Sequence, residues 1–173
     1  MSGIDAVVVC VFGWINRDKI RKFFFAPEIN RRCALELVGL TVVAIALLSL
    51  YFSLFHRAGM PILQASGIFV KFGWPKWSMF VLICCMPAIF EELAFRGVIQ
   101  TSLESVLSTR EALFIQAALF SLLHLMPMMF PSHLFMGLVL GTMRTRSKSL
   151  YPGMLFHASW NALVLIEELY LTS

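Results

Sequence analysis

Side chains that could carry chemistry interrupt the otherwise apolar second half of the sequence. A carboxylate and an imidazole on either side of a water molecule form a general-base pair, and a second imidazole with a carboxamide can donate hydrogen bonds to a developing oxyanion. Together these groups would hydrolyse a peptide bond by activated water, and no covalent intermediate is required. The candidate residues are Glu91, Glu92, Arg96, His124, His157 and Asn161.

The spacing of the first three candidates predicts separate roles for the two carboxylates. Neighbouring positions of a helix lie about 100° apart, so Glu91 and Glu92 are not expected to point at one centre. Glu92 and Arg96 are four residues apart and share a helix face, which predicts a structural ion pair. Glu91 is therefore left free to act.

The other candidates also occur one helical turn apart. His157 and Asn161 share this spacing and are expected to face the same way. Phe120 precedes His124 by four residues, so its ring is predicted to shield the imidazole. The remaining histidines, His56 and His133, lie near predicted helix ends and are interpreted as structural.

Composition predicts the elements that must position these groups. The chain of 173 residues is 59% hydrophobic and 14% charged, with a mean hydropathy of +0.81. Its apolar residues come in long runs without the alternation of membrane β-strands, which indicates an all-α, polytopic membrane protein. At about 20 apolar residues per crossing, the single domain 1–173 has room for about five or six helices, with the catalytic cluster in the bundle interior.

The apolar runs and their breakers predict where the helices lie. Residues 3–15 are too short to span comfortably, and 61–70 are expected to form a short interfacial helix. Counting from the predicted helix ends at about 1.5 Å per residue places all candidates except Arg96 within roughly 10 Å of the bilayer midplane. The predicted membrane helices are 33–55, 78–103, 111–126, 133–143 and 152–169.

The basic residues predict orientation rather than a nucleic-acid partner. Much of the formal charge of +4 lies in the basic cluster of residues 17–32, and a second cluster closes the fourth helix at 144–148. Alternating helices place both clusters on one side, which the positive-inside rule makes cytoplasmic. Anionic lipid headgroups explain such clusters, so we expect a multi-pass protein of the cell membrane, the inner membrane in a prokaryote. Glu36, one turn after Arg32, is expected to pair with it.

Metal and aspartyl mechanisms have weaker support in the sequence. Cys10, Cys33, Cys84 and Cys85 have no metal-ligand spacing, and there is no HExxH motif. Two membrane aspartates are absent, because Asp5 and Asp18 are the only ones in the chain. No cofactor is expected, and a zinc ion held by Glu91, His124 and His157 is the alternative.

Three motifs resemble a known family in order and spacing. Glu91-Glu92-x-x-x-Arg96, Phe120-x-x-x-His124 and His157-x-x-x-Asn161 are similar to those of the CPBP family, which comprises CAAX proteases and bacteriocin-processing (Abi-type) intramembrane proteases. The resemblance covers roughly residues 87–165. It implies a glutamic-type endopeptidase in which Glu91 and His124 activate water. His157 and Asn161 would form the oxyanion side, while Glu92 and Arg96 hold the first motif together.

The resemblance also implies the partners. The substrate would be a membrane-anchored or lipidated protein or peptide, cleaved in CAAX-type, bacteriocin-related or C-terminal sorting-signal processing. The alternative is a non-catalytic membrane immunity factor or transporter-associated protein that keeps the polar cluster for binding or assembly.

Overall fold

The computed structural model describes residues 3–25, 29–60 and 66–170. Helices dominate these residues, and no strand occurs among them, so the all-α prediction is confirmed. Short helical pieces cover Arg17–Ile20, Lys22–Phe25, Gly67–Lys71 and, as a 3₁₀ turn, Pro127–Met129. The six main helices are α1 (Gly3–Ile15), α2 (Arg31–Arg57), α3 (Lys76–Leu103), α4 (Thr109–Leu123), α5 (Phe130–Ser147) and α6 (Tyr151–Tyr170).

Two of these helices are long and apolar enough to cross a membrane. They are α2, with 27 residues, and α3, with 28. Both exceed the roughly 20 residues that a bilayer requires. The surface of α2 is apolar along its length, which suits contact with lipid better than contact with water. Its exposed residues include Leu35, Val38, Val42, Leu50 and Leu54.

Contacts at one end of the bundle bring the two basic clusters together. The Cys33 Sγ lies 3.5 Å from the backbone carbonyl oxygen of Arg146, and the Arg146 guanidinium is 3.6 Å from the Glu36 carboxylate. The predicted pair of Arg32 with Glu36 is present at 3.1 Å. The start of α2 and the end of α5 therefore lie at the same end, which we call the basic end.

Other contacts define the opposite end of the bundle. The Tyr51 hydroxyl near the end of α2 donates to the carbonyl of Met128, just before α5, at 2.6 Å. The backbone N–H of Ser66 donates to the Glu168 carboxylate near the end of α6 at 2.9 Å. These contacts are consistent with the predicted alternation of helix directions. The interfacial helix predicted for 61–70 appears as Gly67–Lys71, and residues 61–65 lie outside the described part of the chain.

The fourth helix of the prediction is longer in the structure and changes the role of one arginine. α5 begins at Phe130, with Pro131 in its first turn, and extends to Ser147. Arg144 was expected in the basic cluster that closes this helix, and it is buried inside the bundle. Its guanidinium donates to the Glu104 carboxylate and to the Thr101 hydroxyl, each at 2.6 Å. Arg144 therefore belongs to the basic end, but α3 supplies it with buried partners that the sequence did not predict.

The third predicted helix ends earlier than expected at its C-terminus. α4 ends at Leu123 with His124 as its C-cap, whereas the sequence predicted 126. Leu125 adopts the left-handed conformation, with φ +53°, and terminates the helix in the position that glycine usually fills. A leucine gives no sequence signal for this conformation.

Close packing joins α4 to α5. A Cβ added at Gly137 would lie 2.8 Å from the Ala117 Cα, so glycine is required for this approach. The approach leaves the Gly137 carbonyl within reach of neighbouring helices, and the Gln116 amide donates to it at 2.8 Å. Backbone acceptors on α5 are thus available to α3 and α4.

Candidate active site

Glu91 lies between two imidazoles in the interior of the bundle. Its Oε2 is 4.0 Å from the His124 Nε2 and 3.9 Å from the His157 Nε2. This oxygen is buried and makes no hydrogen bond within the described part of the chain. Separations near 4 Å are too long for direct hydrogen bonds, but a single water molecule can bridge them. Three helices therefore direct a carboxylate and two imidazoles at one point.

The hydrogen bonds at the other ring nitrogen fix both histidine tautomers. The His124 Nδ1 lies 2.7 Å from the Phe120 carbonyl, and the His157 Nδ1 lies 3.2 Å from the Glu92 Oε1. A carbonyl and a carboxylate only accept hydrogen bonds, so Nδ1 is the donor in each ring. In the neutral form, the Nε2 that faces Glu91 is then an acceptor.

The ion pair predicted within the first motif is present and buried. The Arg96 Nη1 donates to the Glu92 Oε1 at 2.8 Å, and both side chains are almost fully buried. The Arg96 Nη2 also donates to the Gly137 carbonyl at 3.3 Å, and its guanidinium lies 4.5 Å from the centre of the Phe120 ring. A buried charge of this kind requires such partners. Arg96 thereby links Glu92 to α5.

The two glutamates point in different directions, as the sequence predicted, yet both approach the ring of His157. Glu91 approaches the Nε2 of His157, while Glu92 contacts the Nδ1 of the same ring. The two nitrogens of an imidazole point in different directions. Adjacent carboxylates about 100° apart on a helix can therefore reach one ring from two sides.

Phe120 forms the wall between the two imidazoles. Its ring centroid is 4.6 Å from that of His124 and 6.1 Å from that of His157, both in edge-to-face geometry. Phe95 packs edge-on against Phe120 at 5.1 Å. These contacts restrict the orientation of both imidazoles.

Asn161 faces the same cavity as His157, one turn further along α6. Its Nδ2 donates to the backbone carbonyl of Ile83 in α3 at 3.2 Å. A carboxamide nitrogen carries two hydrogens, so one N–H remains for another acceptor.

His133 is a cavity residue that the sequence reasoning missed as a candidate for the site. Its ring lies 4.1 Å from the His124 ring, and its Nδ1 lies 2.9 Å from the Met129 carbonyl. It belongs to none of the three motifs, which is why motif spacing did not find it. The prolines Pro127 and Pro131 gave the available signal, since a tight reversal there returns the chain beside the end of α4.

The cavity that contains these groups has a volume of about 280 Å³. Glu91, His124, His133 and His157 line it, and most of the other lining residues are apolar. Flexible methionine side chains can adapt to an apolar ligand. The apolar lining includes Leu48, Phe52, Met126, Met129, Met136 and Trp160.

The donor atoms around Glu91 are spaced too widely for a zinc centre in this conformation. Within the described residues, no group of three or more His, Cys, Asp or Glu side chains is arranged to hold a metal ion. The separations of 3.9 and 4.0 Å around Glu91 exceed the roughly 3.3 Å expected between two ligands at Zn–N and Zn–O distances of about 2.0–2.1 Å. Metal-free chemistry at this site stays a prediction.

The fold and the site together define a class of protein: helical membrane bundles that enclose a carboxylate between imidazoles. The sequence profile of the Rce1-like family, described as type II CAAX prenyl endopeptidase, matches residues 72–163. The match covers more than half of the chain and includes every candidate residue of the site, so the chain belongs to this family. Members of the family are intramembrane endopeptidases that act on prenylated, membrane-anchored proteins. Searches among curated proteins and among solved structures found no significant match.

Proposed function

We propose that this chain is a multi-pass, glutamic-type intramembrane endopeptidase that hydrolyses a peptide bond of a membrane-anchored or lipidated protein or peptide. The observation that carries the proposal is the position of the Glu91 Oε2, within 4.0 Å of the Nε2 of both His124 and His157. Family membership supports the same activity class. The basic end faces the cytoplasm in this proposal, in keeping with the positive-inside rule.

In the proposed reaction, a water molecule lies between Glu91 and His124. Glu91 accepts a proton from this water as its oxygen attacks the scissile carbonyl carbon, and the Nε2 of His124 accepts a second hydrogen bond that orients it. The carbonyl oxygen becomes an oxyanion. When the C–N bond breaks, the protonated Glu91 returns its proton to the leaving amine, so that water is added across the bond.

The oxyanion would be stabilised from α6. Asn161 supplies the N–H that Ile83 does not accept. His157 can donate from Nε2 only as an imidazolium, whose Nδ1 would keep its hydrogen bond to Glu92. Arg96 in turn holds Glu92 in place. Preorganised donors of this kind contribute on the order of 10²–10³ each in rate.

The proposal is tested with the purified protein in liposomes. New C-termini in membrane proteomes with and without the active protein identify a substrate, whose cleavage is then measured for Glu91→Gln and His124→Ala. We expect at least a hundred-fold loss of kcat for each, with folding retained. Glu36→Gln removes a carboxylate at the basic end and serves as the matched control with unchanged cleavage.

Two results would contradict the proposed activity or its metal-free mechanism. Full complementation of a null strain by Glu91→Gln would contradict the protease and favour a non-catalytic immunity or transporter-associated role. Loss of cleavage in strong chelator, restored by zinc, would replace metal-free hydrolysis by a metal-assisted reaction. We expect activity to survive the chelator.

A further inference from the structure

The acceptor that holds Asn161 is unusual because it belongs to the interior of a helix. Inside an α-helix, each carbonyl normally accepts from the backbone N–H four residues later. The Ile83 carbonyl instead lies 3.2 Å from the Asn161 Nδ2, which belongs to a different helix. Ile83 belongs to the π-helical stretch Phe80–Cys85, at whose end the Met86 N–H donates to the Val81 carbonyl, five residues back.

The residue four positions after Ile83 is Pro87. Proline has no backbone N–H, so the α-helical bond to the Ile83 carbonyl cannot form. Pro87 stands well inside α3, which begins at Lys76, and it lies in the first turn of the α-helical part Met86–Glu92 that follows the π-helical stretch. Such local irregularities in membrane helices are tolerated where neighbouring side chains satisfy the freed backbone groups. Asn161 satisfies this one.

The freed carbonyl lies on the face of α3 that carries the chemistry. Ile83, Pro87 and Glu91 follow each other at intervals of four residues, and all three line the cavity. On α6, His157 faces Glu91, and Asn161, one turn further on, contacts Ile83. The bond between Asn161 and Ile83 therefore fixes α6 against α3 beside the reacting groups.

We propose that Pro87 is a positioning residue for the oxyanion side of the site. By withholding the N–H that would reach the Ile83 carbonyl in the α-helical register, it leaves this carbonyl open to one N–H of the Asn161 carboxamide. The other N–H is thereby directed at the cavity. The inference rests on the proposed function, in which that second N–H binds the oxyanion.

Two substitutions at Pro87 distinguish the effect of its missing N–H from the effect of its ring volume. Pro87→Ala restores the donor, and Pro87→Val restores it while keeping apolar volume in the cavity wall. We expect both variants to keep KM and to lower kcat about ten-fold, because the Asn161 carboxamide loses its fixed acceptor. Pro75→Ala is the matched control: Pro75 caps the start of the same helix, where no interior hydrogen bond is at stake, and kcat should not change.

A double-mutant cycle tests whether Pro87 acts through Asn161. Asn161→Ala alone should lower kcat about a hundred-fold, and adding Pro87→Ala should cause no further loss. Full additivity of the two changes would overturn the proposal. So would an unchanged kcat in both Pro87 variants.

A spectroscopic readout keeps the inference testable if the protein is not a protease. The asparagines of the chain are Asn16, Asn30 and Asn161, so selective ¹⁵N-asparagine labelling in detergent micelles gives a simple side-chain spectrum. Pro87→Ala and Pro87→Val should shift the Asn161 amide signals, assigned by their loss in Asn161→Ala, while Pro75→Ala leaves them in place. Unshifted signals in both Pro87 variants would refute the positioning role independently of any cleavage assay.

Discussion

At the residue scale, the two glutamates of the first motif differ in what surrounds them. Glu92 is bound to Arg96 at 2.8 Å and contacts the Nδ1 of His157, whereas the Glu91 Oε2 has no hydrogen-bond partner among the described residues. A satisfied buried carboxylate is suited to holding structure. An unsatisfied one between two imidazoles is suited to binding and deprotonating water.

The difference predicts opposite consequences for two similar substitutions. Glu92→Gln leaves the buried Arg96 without its charge partner and should lower the free energy of unfolding by about 3 kcal/mol. Glu91→Gln changes an oxygen, Oε2, that has no hydrogen-bond partner in the described part of the chain, so it should leave stability nearly unchanged while abolishing cleavage. Thermal unfolding in detergent, followed by circular dichroism, measures both. Equal destabilisation by the two substitutions would contradict the division of roles.

His133 provides a second prediction at this scale. Its ring packs against His124 at 4.1 Å, which restrains the imidazole that faces Glu91. His133→Phe keeps a ring in this place and should retain kcat within a few-fold, whereas His133→Ala should lower kcat at least ten-fold. If the Phe variant is as inactive as the Ala variant, an imidazole nitrogen of His133 takes part in the reaction itself.

At the scale of elements, glycine on α5 controls how closely the helices approach. A Cβ at Gly137 would meet the backbone of Ala117 at 2.8 Å, and the Gly137 carbonyl accepts from both Arg96 and Gln116. The ion pair of the first motif is thus anchored to α5 through a backbone oxygen. Small residues commonly permit such close helix contacts in membranes.

Gly137→Ala should therefore push α4 and α5 apart and destabilise the protein by about 1–3 kcal/mol. It should also lower kcat, because Arg96 loses part of its anchor. Gly39→Ala in α2 is the matched control, since a Cβ there meets nothing within 4 Å. The control should be neutral or slightly stabilising, by up to about 1 kcal/mol from helix propensity. Destabilisation of the same size in both variants would show that packing at Gly137 is not limiting.

At the scale of the whole molecule, contacts at its two ends support a bundle with alternating helix directions. From the positive-inside rule we predict that the basic end faces the cytoplasm. Single cysteines introduced at Ser105, at the basic end, and at Ala58, at the opposite end, test this in a chain whose own cysteines are replaced. A membrane-impermeant maleimide added to intact cells should label Ala58→Cys and spare Ser105→Cys until the membrane is opened. The reverse pattern would invert the proposed orientation.

The sequence by itself determined the class of fold and the candidates of the site. In a bilayer, the backbone N–H and C=O groups of a long apolar run must bond within the protein, because lipid offers no partners. A helix meets this requirement within one segment, so the helices followed from composition. Intervals of four residues predicted the contact of Glu92 with Arg96 and that of Phe120 with His124, because helix geometry is local.

Only the tertiary structure decided which groups meet across helices. The two-sided approach of Glu91 and Glu92 to His157, the burial of Arg144 against Glu104 and the place of His133 all depend on contacts between residues far apart in the chain or across a turn. Periodicity along one helix carries no information about the rotation and depth of its neighbours. Those are set by the packing of all the helices together, including the close contact at Gly137.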